Sequence, residues 1–150
     1  MNTYLIGPVE TDQDYEACFE VMRELRPHLT DAAAFATRVR RQATHGYRLL
    51  AAWHRDRAVA LAGYRITENL LYGQFLYVDD LVANTAARGQ GIGGDLIAEL
   101  REEGRRQGCA YLVLDTALAN ALGQRFYFRQ GLLAHGMHFS QPLTPLEPRL

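Results

Sequence analysis

The sequence predicts a mixed α/β (α+β) fold, with a mostly antiparallel sheet, helices on both of its faces and one central parallel strand pair. Three observations lead there. Strand-like runs between residues 47 and 82 follow one another through short turns, as an antiparallel meander does. Amphipathic helical repeats stand before and after that meander. A glycine-rich stretch, Arg88-Gly89-Gln90-Gly91-Ile92-Gly93-Gly94, then leads into a strongly periodic helix. The apolar run that follows this helix returns parallel through a right-handed crossover.

Taken in order, Tyr4 to Val9 alternates weakly and reads as a first strand, ended near Gly7-Pro8 or by the polar Glu10 and Thr11. Thr11 is placed to cap a helix in which Tyr15, Cys18, Phe19, Met22 and Leu25 share one face. Asp12 and Asp14 suit its dipole, and Pro27 stops it. Thr30 and Asp31 offer a second cap, followed by Phe35, Ala36, Val39 and Ala43 at helical spacing until Gly46. Tyr47 to His54 and Ala58 to Thr67 read as strands joined by the turn Arg55-Asp56, and Leu70-Leu71-Tyr72-Gly73 connects to a strand over 75–82. The helix from Ile92 to Gln107 carries Ile92, Leu96, Ile97 and Leu100 on one face, with Gly108 as its cap. Ala110 to Leu114 is a fully apolar strand. A last helix from about Ala119 to Gln130, with Leu122 and Phe126 inward, precedes a final strand over 132–139. Prolines at 142, 145 and 148 mark an irregular tail over 142–150.

At 150 residues and 48% hydrophobic content, the chain is long enough for one domain with a core and short for two, so 1–150 reads as a single domain. A net charge of −1 and the absence of long basic runs argue against nucleic acid and favour a small molecule as partner. Cys18 and Cys109 have no metal-binding or redox spacing, and read as structural thiols in a reducing cytoplasm. No stretch approaches the apolar length of a membrane span, and residues 1–6 lack the charged and apolar regions of a signal peptide, so the expected location is cytoplasmic.

The glycine-rich stretch carries the chemistry. Where a strand turns into a helix, the first N–H groups have no intrahelical partner and the macrodipole adds partial positive charge, so the geometry favours an anion such as a diphosphate. Glycines at 89, 91, 93 and 94 leave that backbone bare, and Arg88 adds a fork of donors suited to phosphate. Two phosphate folds compete. Gly89, Gly91 and Gly94 satisfy G-x-G-x-x-G, with Asp115 ending the next strand as a dinucleotide fold asks. Against that reading, residues 84–88 separate strand from glycine where the dinucleotide turn is tight, and little chain remains after Asp115.

The same residues fit Arg/Gln-x-x-Gly-x-Gly/Ala as Arg88-x-x-Gly91-x-Gly93, and this resembles the acetyl-CoA motif of the GNAT superfamily of N-acetyltransferases. The order of elements is similar to that family's throughout. Asp79-Asp80-Leu81-Val82-Ala83 looks like its central strand, which splays from the parallel neighbour at a bulge. Asn120 followed by Phe126-Tyr127 and Gly131-Leu132 is similar to its N-x-x-A…F-Y…G-F segment, with Gly123 where alanine is common. The resemblance implies that acetyl-CoA is the co-substrate. It would be held at Leu81, Val82 and Ala83, at Arg88, Gly89, Gln90, Gly91, Ile92, Gly93 and Gly94, and at Asn120, with the pantetheine arm paired to the backbone of Leu81 and Ala83.

Acetyl transfer from a thioester to an amine requires a deprotonated amine, a stabilised oxyanion and a proton for the leaving thiolate. The resemblance points to Tyr127, seven residues after Asn120, as the acid. It points to Asp79 as the base or amine-binding group, with an ion pair to an arginine as the competing role. Strand alternation places Asp79 and Asp80 on opposite faces. His135 and His138 are three apart on the expected strand and make a poor metal pair, so no metal is expected. No nucleophilic triad is visible, and direct transfer in a ternary complex is the economical mechanism. The expected protein is an N-acetyltransferase of a primary amine, a small molecule in preference to a protein, and a homodimer. A non-catalytic acyl-CoA-binding or Rossmann-type nucleotide-binding module is the reading from another class.

Overall fold

The computed structural model describes residues 3–145. They divide into two compact units, the first running to Leu114 and the second starting at Asp115. The first unit contains β1 (Leu5–Pro8), α1 (Asp12–Ala17), α2 (Phe19–Leu25), α3 (Ala32–Ala43), β2 (Arg48–His54), β3 (Arg57–Asn69), β4 (Gly73–Ala83), α4 (Ile92–Arg106) and β5 (Tyr111–Leu114). The strands lie in sequence order. Pairs β1/β2, β2/β3 and β3/β4 are antiparallel, and β4/β5 is parallel.

Local chemistry explains most of the boundaries. The Thr11 hydroxyl accepts from the Asp14 N–H at 3.1 Å and starts α1, and the Asp31 carboxylate accepts from the Ala34 N–H at 2.7 Å and starts α3. The single first helix expected from the sequence is instead two short ones meeting at Cys18, whose N–H is shared between the carbonyls of Asp14 and Tyr15. Gly46, at φ +94°, turns the chain out of α3.

Apolar side chains cover both faces of the sheet. Leu49, Ala51 and Leu61 join Tyr15, Phe19, Met22, Phe35 and Val39 in a core built with the first three helices. Their strand neighbours Leu50, Ala52, Ala60 and Ala62 are also buried but point the other way, toward the side where Leu96, Ile97 and Leu100 of α4 pack.

The β3/β4 register slips between Gly63 and Tyr64. Gly63 pairs with Asp80 and Tyr64 with Val78, so Asp79 is an extra residue, a β-bulge. Gly63 is required there for a steric reason: an added Cβ would overlap the ring and hydroxyl of Tyr47. Replacing Gly63 with alanine is expected to destabilise the protein by about 1–3 kcal/mol through overpacking. A urea midpoint equal to that of the unsubstituted chain would refute this.

The second unit contains α5 (Ala121–Arg129) and irregular chain. Two expectations fail here. Residues 132–139 form no strand, since alternating side chains supply only a pattern, a strand also needs a ladder partner, and Gly136 weakens the segment further. Leu122 is exposed, because helical spacing marks an apolar stripe without providing a surface to cover it. The irregular tail expected over 142–150 is irregular as far as residue 145 and otherwise lies outside the described residues.

Candidate functional site

The parallel strands β4 and β5 run together only up to the β4 bulge, where β5 itself ends. They pair from Phe75↔Tyr111 to Val78↔Leu114 and no further, whereas β4 stays with β3 as far as Ala83↔Ala60. From Asp79 to Ala83, β4 therefore has β3 on one edge and no strand on the other among the described residues. Which groups face that open edge follows from one hydrogen bond. The Asn84 N–H donates to the Val59 carbonyl at 2.9 Å, toward β3. Strand periodicity then turns Val82 toward β3 as well, and directs the N–H and C=O groups of Leu81 and Ala83 to the open side.

The chain leaves β4 through a 3₁₀ turn at Thr85–Ala87, where the Asn84 side chain accepts from the Ala87 N–H at 2.8 Å. Gly89 and Gly91 hold φ of +79° and +82°, a region that strongly favours glycine. Gly91 stands just before Ile92, the first residue of α4, and no side-chain hydrogen bond caps that helix start. The amides of Ile92, Gly93 and Gly94 therefore begin the helix without a cap from their own chain. Gln90 donates to the Ala86 carbonyl at 3.3 Å. Arg88 is turned toward the open edge: its Nε donates to the Ala83 carbonyl at 3.2 Å, and its Nη2 lies 3.3 Å from Glu24. Both members of that ion pair are substantially exposed, so the pairing is weak enough to exchange for a stronger anion.

Asp79 and Asp80 stand at the bulge. Arg65 Nε donates to both oxygens of Asp79, at 3.2 and 3.0 Å, while its Nη2 donates to Gln42 at 2.8 Å. Asp80 accepts from Arg26 Nε at 2.9 Å and from the Tyr47 hydroxyl at 2.8 Å. The strict alternation expected for the two acids does not hold across the extra residue. Both are tied to arginines near Tyr47, with the Arg65 guanidinium 5.3 Å from the centre of that ring.

Burial pushes the Asp79 carboxyl above its ordinary range, and the neighbouring Arg65 opposes that. Burial and the adjacent Asp80 carboxylate raise the Tyr47 hydroxyl well above its ordinary value, so it remains a proton donor to Asp80. Asp80 is held by two partners from separate elements, Arg26 and Tyr47. Asp79 has both oxygens on Arg65, the ion pair that competes with a role as base, and its side chain is the more exposed of the two, 25% against 14%.

In the second unit, the Asn120 side chain accepts from the Gly123 N–H at 3.0 Å, capping α5, and donates to the Thr116 hydroxyl at 3.0 Å. Tyr127 is half-buried on α5 with its ring edge-on to Phe126, centroids 5.2 Å apart, and burial raises its hydroxyl above the ordinary tyrosine value. His138 Nδ1 lies 3.4 Å from the Asp115 carboxylate. Among the described residues no cluster of three or more His, Cys, Asp or Glu side chains is arranged to hold a metal ion. No helix of the described residues is long and apolar enough to cross a membrane.

Arg26, Tyr47, Arg65 and Glu24 were not candidates from sequence. Their roles depend on partners 14 to 64 residues away, and no local motif marks them.

Comparison with known proteins bears on the family and the fold. The model of the acetyltransferase (GNAT) family matches residues 10–132. An acetyltransferase of Agrobacterium fabrum is 39% identical over 79 residues, which are 50% of this chain and 56% of that protein, so the match spans little more than half of the relative. A crystal structure of a transcriptional regulator from Bacillus halodurans superposes with a TM-score of 0.83 at 20% identity, covering 94% of this chain and all of that one. An aminoglycoside N-acetyltransferase in complex with CoA superposes with a TM-score of 0.79 at 15% identity, covering 95% of this chain and 97% of that one. At these identities the superpositions establish the fold.

Proposed function

The chain belongs to the acetyltransferase (GNAT) family, and on that premise we propose that it transfers an acetyl group from acetyl-CoA to a primary amine on a small molecule, directly and in a ternary complex. The observation that carries the reading is the end of β5 at Leu114, level with the bulge, while β4 runs on to Ala83. It leaves the peptide groups of Leu81 and Ala83 on an open edge, a few residues before a helix start without a side-chain cap. An amide-bearing thioester arm needs such an edge, and a diphosphate needs such a helix start.

In this reading Leu81 and Ala83 pair with the pantetheine arm. The backbone of Gly89, Gln90, Gly91, Ile92, Gly93 and Gly94 receives the diphosphate, and Arg88 exchanges Glu24 for a phosphate oxygen. Val82 supports that edge from the β3 side. Asn120 shapes the start of α5 through its cap. Asp79 takes the ammonium proton through water. The free amine nitrogen attacks the thioester carbonyl, and the C–S bond breaks as the tetrahedral species collapses. Tyr127 protonates the departing thiolate. The acetylated amine and free CoA are the products.

Thermal melting with CoA and with NAD tests the cofactor. A rise in Tm with CoA alone is expected, and a rise with NAD alone would overturn the reading. A panel of primary amines incubated with acetyl-CoA, with thiol release followed, tests the reaction. Release that no amine in the panel stimulates would count against a small-molecule acceptor.

A further inference from the structure

We propose that Arg26, Asp80 and Tyr47 form a brace that positions the bulge at Asp79, and that Arg26 is thereby a positioning residue for acetyl transfer. The proposal rests on the reading of the site given above. An extra residue in a strand leaves its backbone out of register with the neighbouring ladder, and Arg26 supplies the missing donor: its Nη2 donates to the Asp79 carbonyl at 2.9 Å. The same guanidinium holds Asp80 Oδ1 through Nε at 2.9 Å, so two consecutive residues of the bulge are fixed by one planar group. Tyr47 fixes the other carboxylate oxygen at 2.8 Å from a buried position, in space that exists because residue 63 lacks a Cβ. Arg65 closes the arrangement by standing over the Tyr47 ring while binding the Asp79 carboxylate.

The consequence for the reaction comes from strand periodicity. Leu81 and Ala83 face the open edge because one residue has been inserted before them. A slip of one residue, which would remove the bulge, turns both toward β3 and presents Val82 instead. Arg26 comes from the end of α2, just before Pro27, and so couples the placement of that helix end to the edge that receives the pantetheine arm. It acts through the backbone of β4 and touches neither co-substrate nor acceptor in this scheme.

The test uses the full chain carrying Arg26→Met, Arg26→Lys or Tyr47→Phe. Amide hydrogen exchange of the ligand-free protein is expected to show local loss of protection at Asp80 and Val82 in Arg26→Met, with α4 and β2 unchanged. The Kd for CoA and the KM for acetyl-CoA should rise roughly tenfold, while kcat falls less. Arg26→Lys, which keeps one of the two hydrogen bonds, should recover part of the loss. If Arg26→Met does not fold, Tyr47→Phe carries the same measurements, because it removes only a hydroxyl. Wild-type exchange and KM in these variants would overturn the brace, and so would a loss of protection spread evenly over the sheet. If the unsubstituted protein fails to bind CoA, the function proposed above falls, while the exchange experiment still decides the brace.

Discussion

Tyr127→Phe is expected to lower kcat by roughly 10² to 10⁴ and to leave CoA affinity unchanged. The substitution removes one oxygen and keeps the ring, which packs edge-on to Phe126, so α5 loses little of its packing. What disappears is the only proton the side chain can give. Burial raises the Tyr127 hydroxyl above the ordinary tyrosine value, so it stays protonated across the neutral range. An acid that must carry its proton to act loses activity as pH rises through its pKa. The alkaline limb of the kcat profile should therefore lie above the ordinary range of tyrosine and vanish in Tyr127→Phe. Turnover equal to that of the unsubstituted protein, with the limb intact, would reduce Tyr127 to a packing residue.

The second large effect is expected at Gly91. Its φ of +82° places it in the left-handed region, where a β-branched residue is strained by about 1–2 kcal/mol. A Cβ built there meets no protein atom within 4 Å, so the fold has room for it. The space it would fill lies at the start of α4, where the diphosphate is proposed to sit. Gly91→Val should therefore lose one or two charge-assisted backbone contacts and weaken CoA binding by about 10- to 100-fold, with a smaller effect on Tm. Calorimetric titration decides this, and undiminished affinity would remove the turn from the site. Arg88→Ala is expected to cost less, because Arg88 must first give up its contacts with Glu24 and the Ala83 carbonyl.

Part of the candidate site's local geometry was legible in the sequence. The strand-to-helix turn was readable because glycine acts locally, by leaving the backbone bare; that Gly89 and Gly91 take left-handed φ came from the structure. The caps at Thr11 and Asp31 were legible for the same reason, since an N-cap bonds within three residues. The splay of β4 from its parallel neighbour was expected from family resemblance; what the structure has instead is a β5 that pairs along its whole length and stops at Leu114, beside the bulge. The missing strand at 132–139 and the exposed Leu122 show the reverse case, where a correct side-chain pattern had no partner to act on.

By itself the sequence determined the order of strands in the first unit and the glycine-bared amides ahead of α4. Each of these is set by residues close together along the chain. Only the tertiary structure decided that Asp80 is shared between Arg26 and Tyr47 while both Asp79 oxygens go to Arg65. That choice depends on Arg26, Tyr47 and Arg65, which reach β4 from distant parts of the chain. A carboxylate's role follows from its surroundings, and the chain fixes those surroundings only when it has folded.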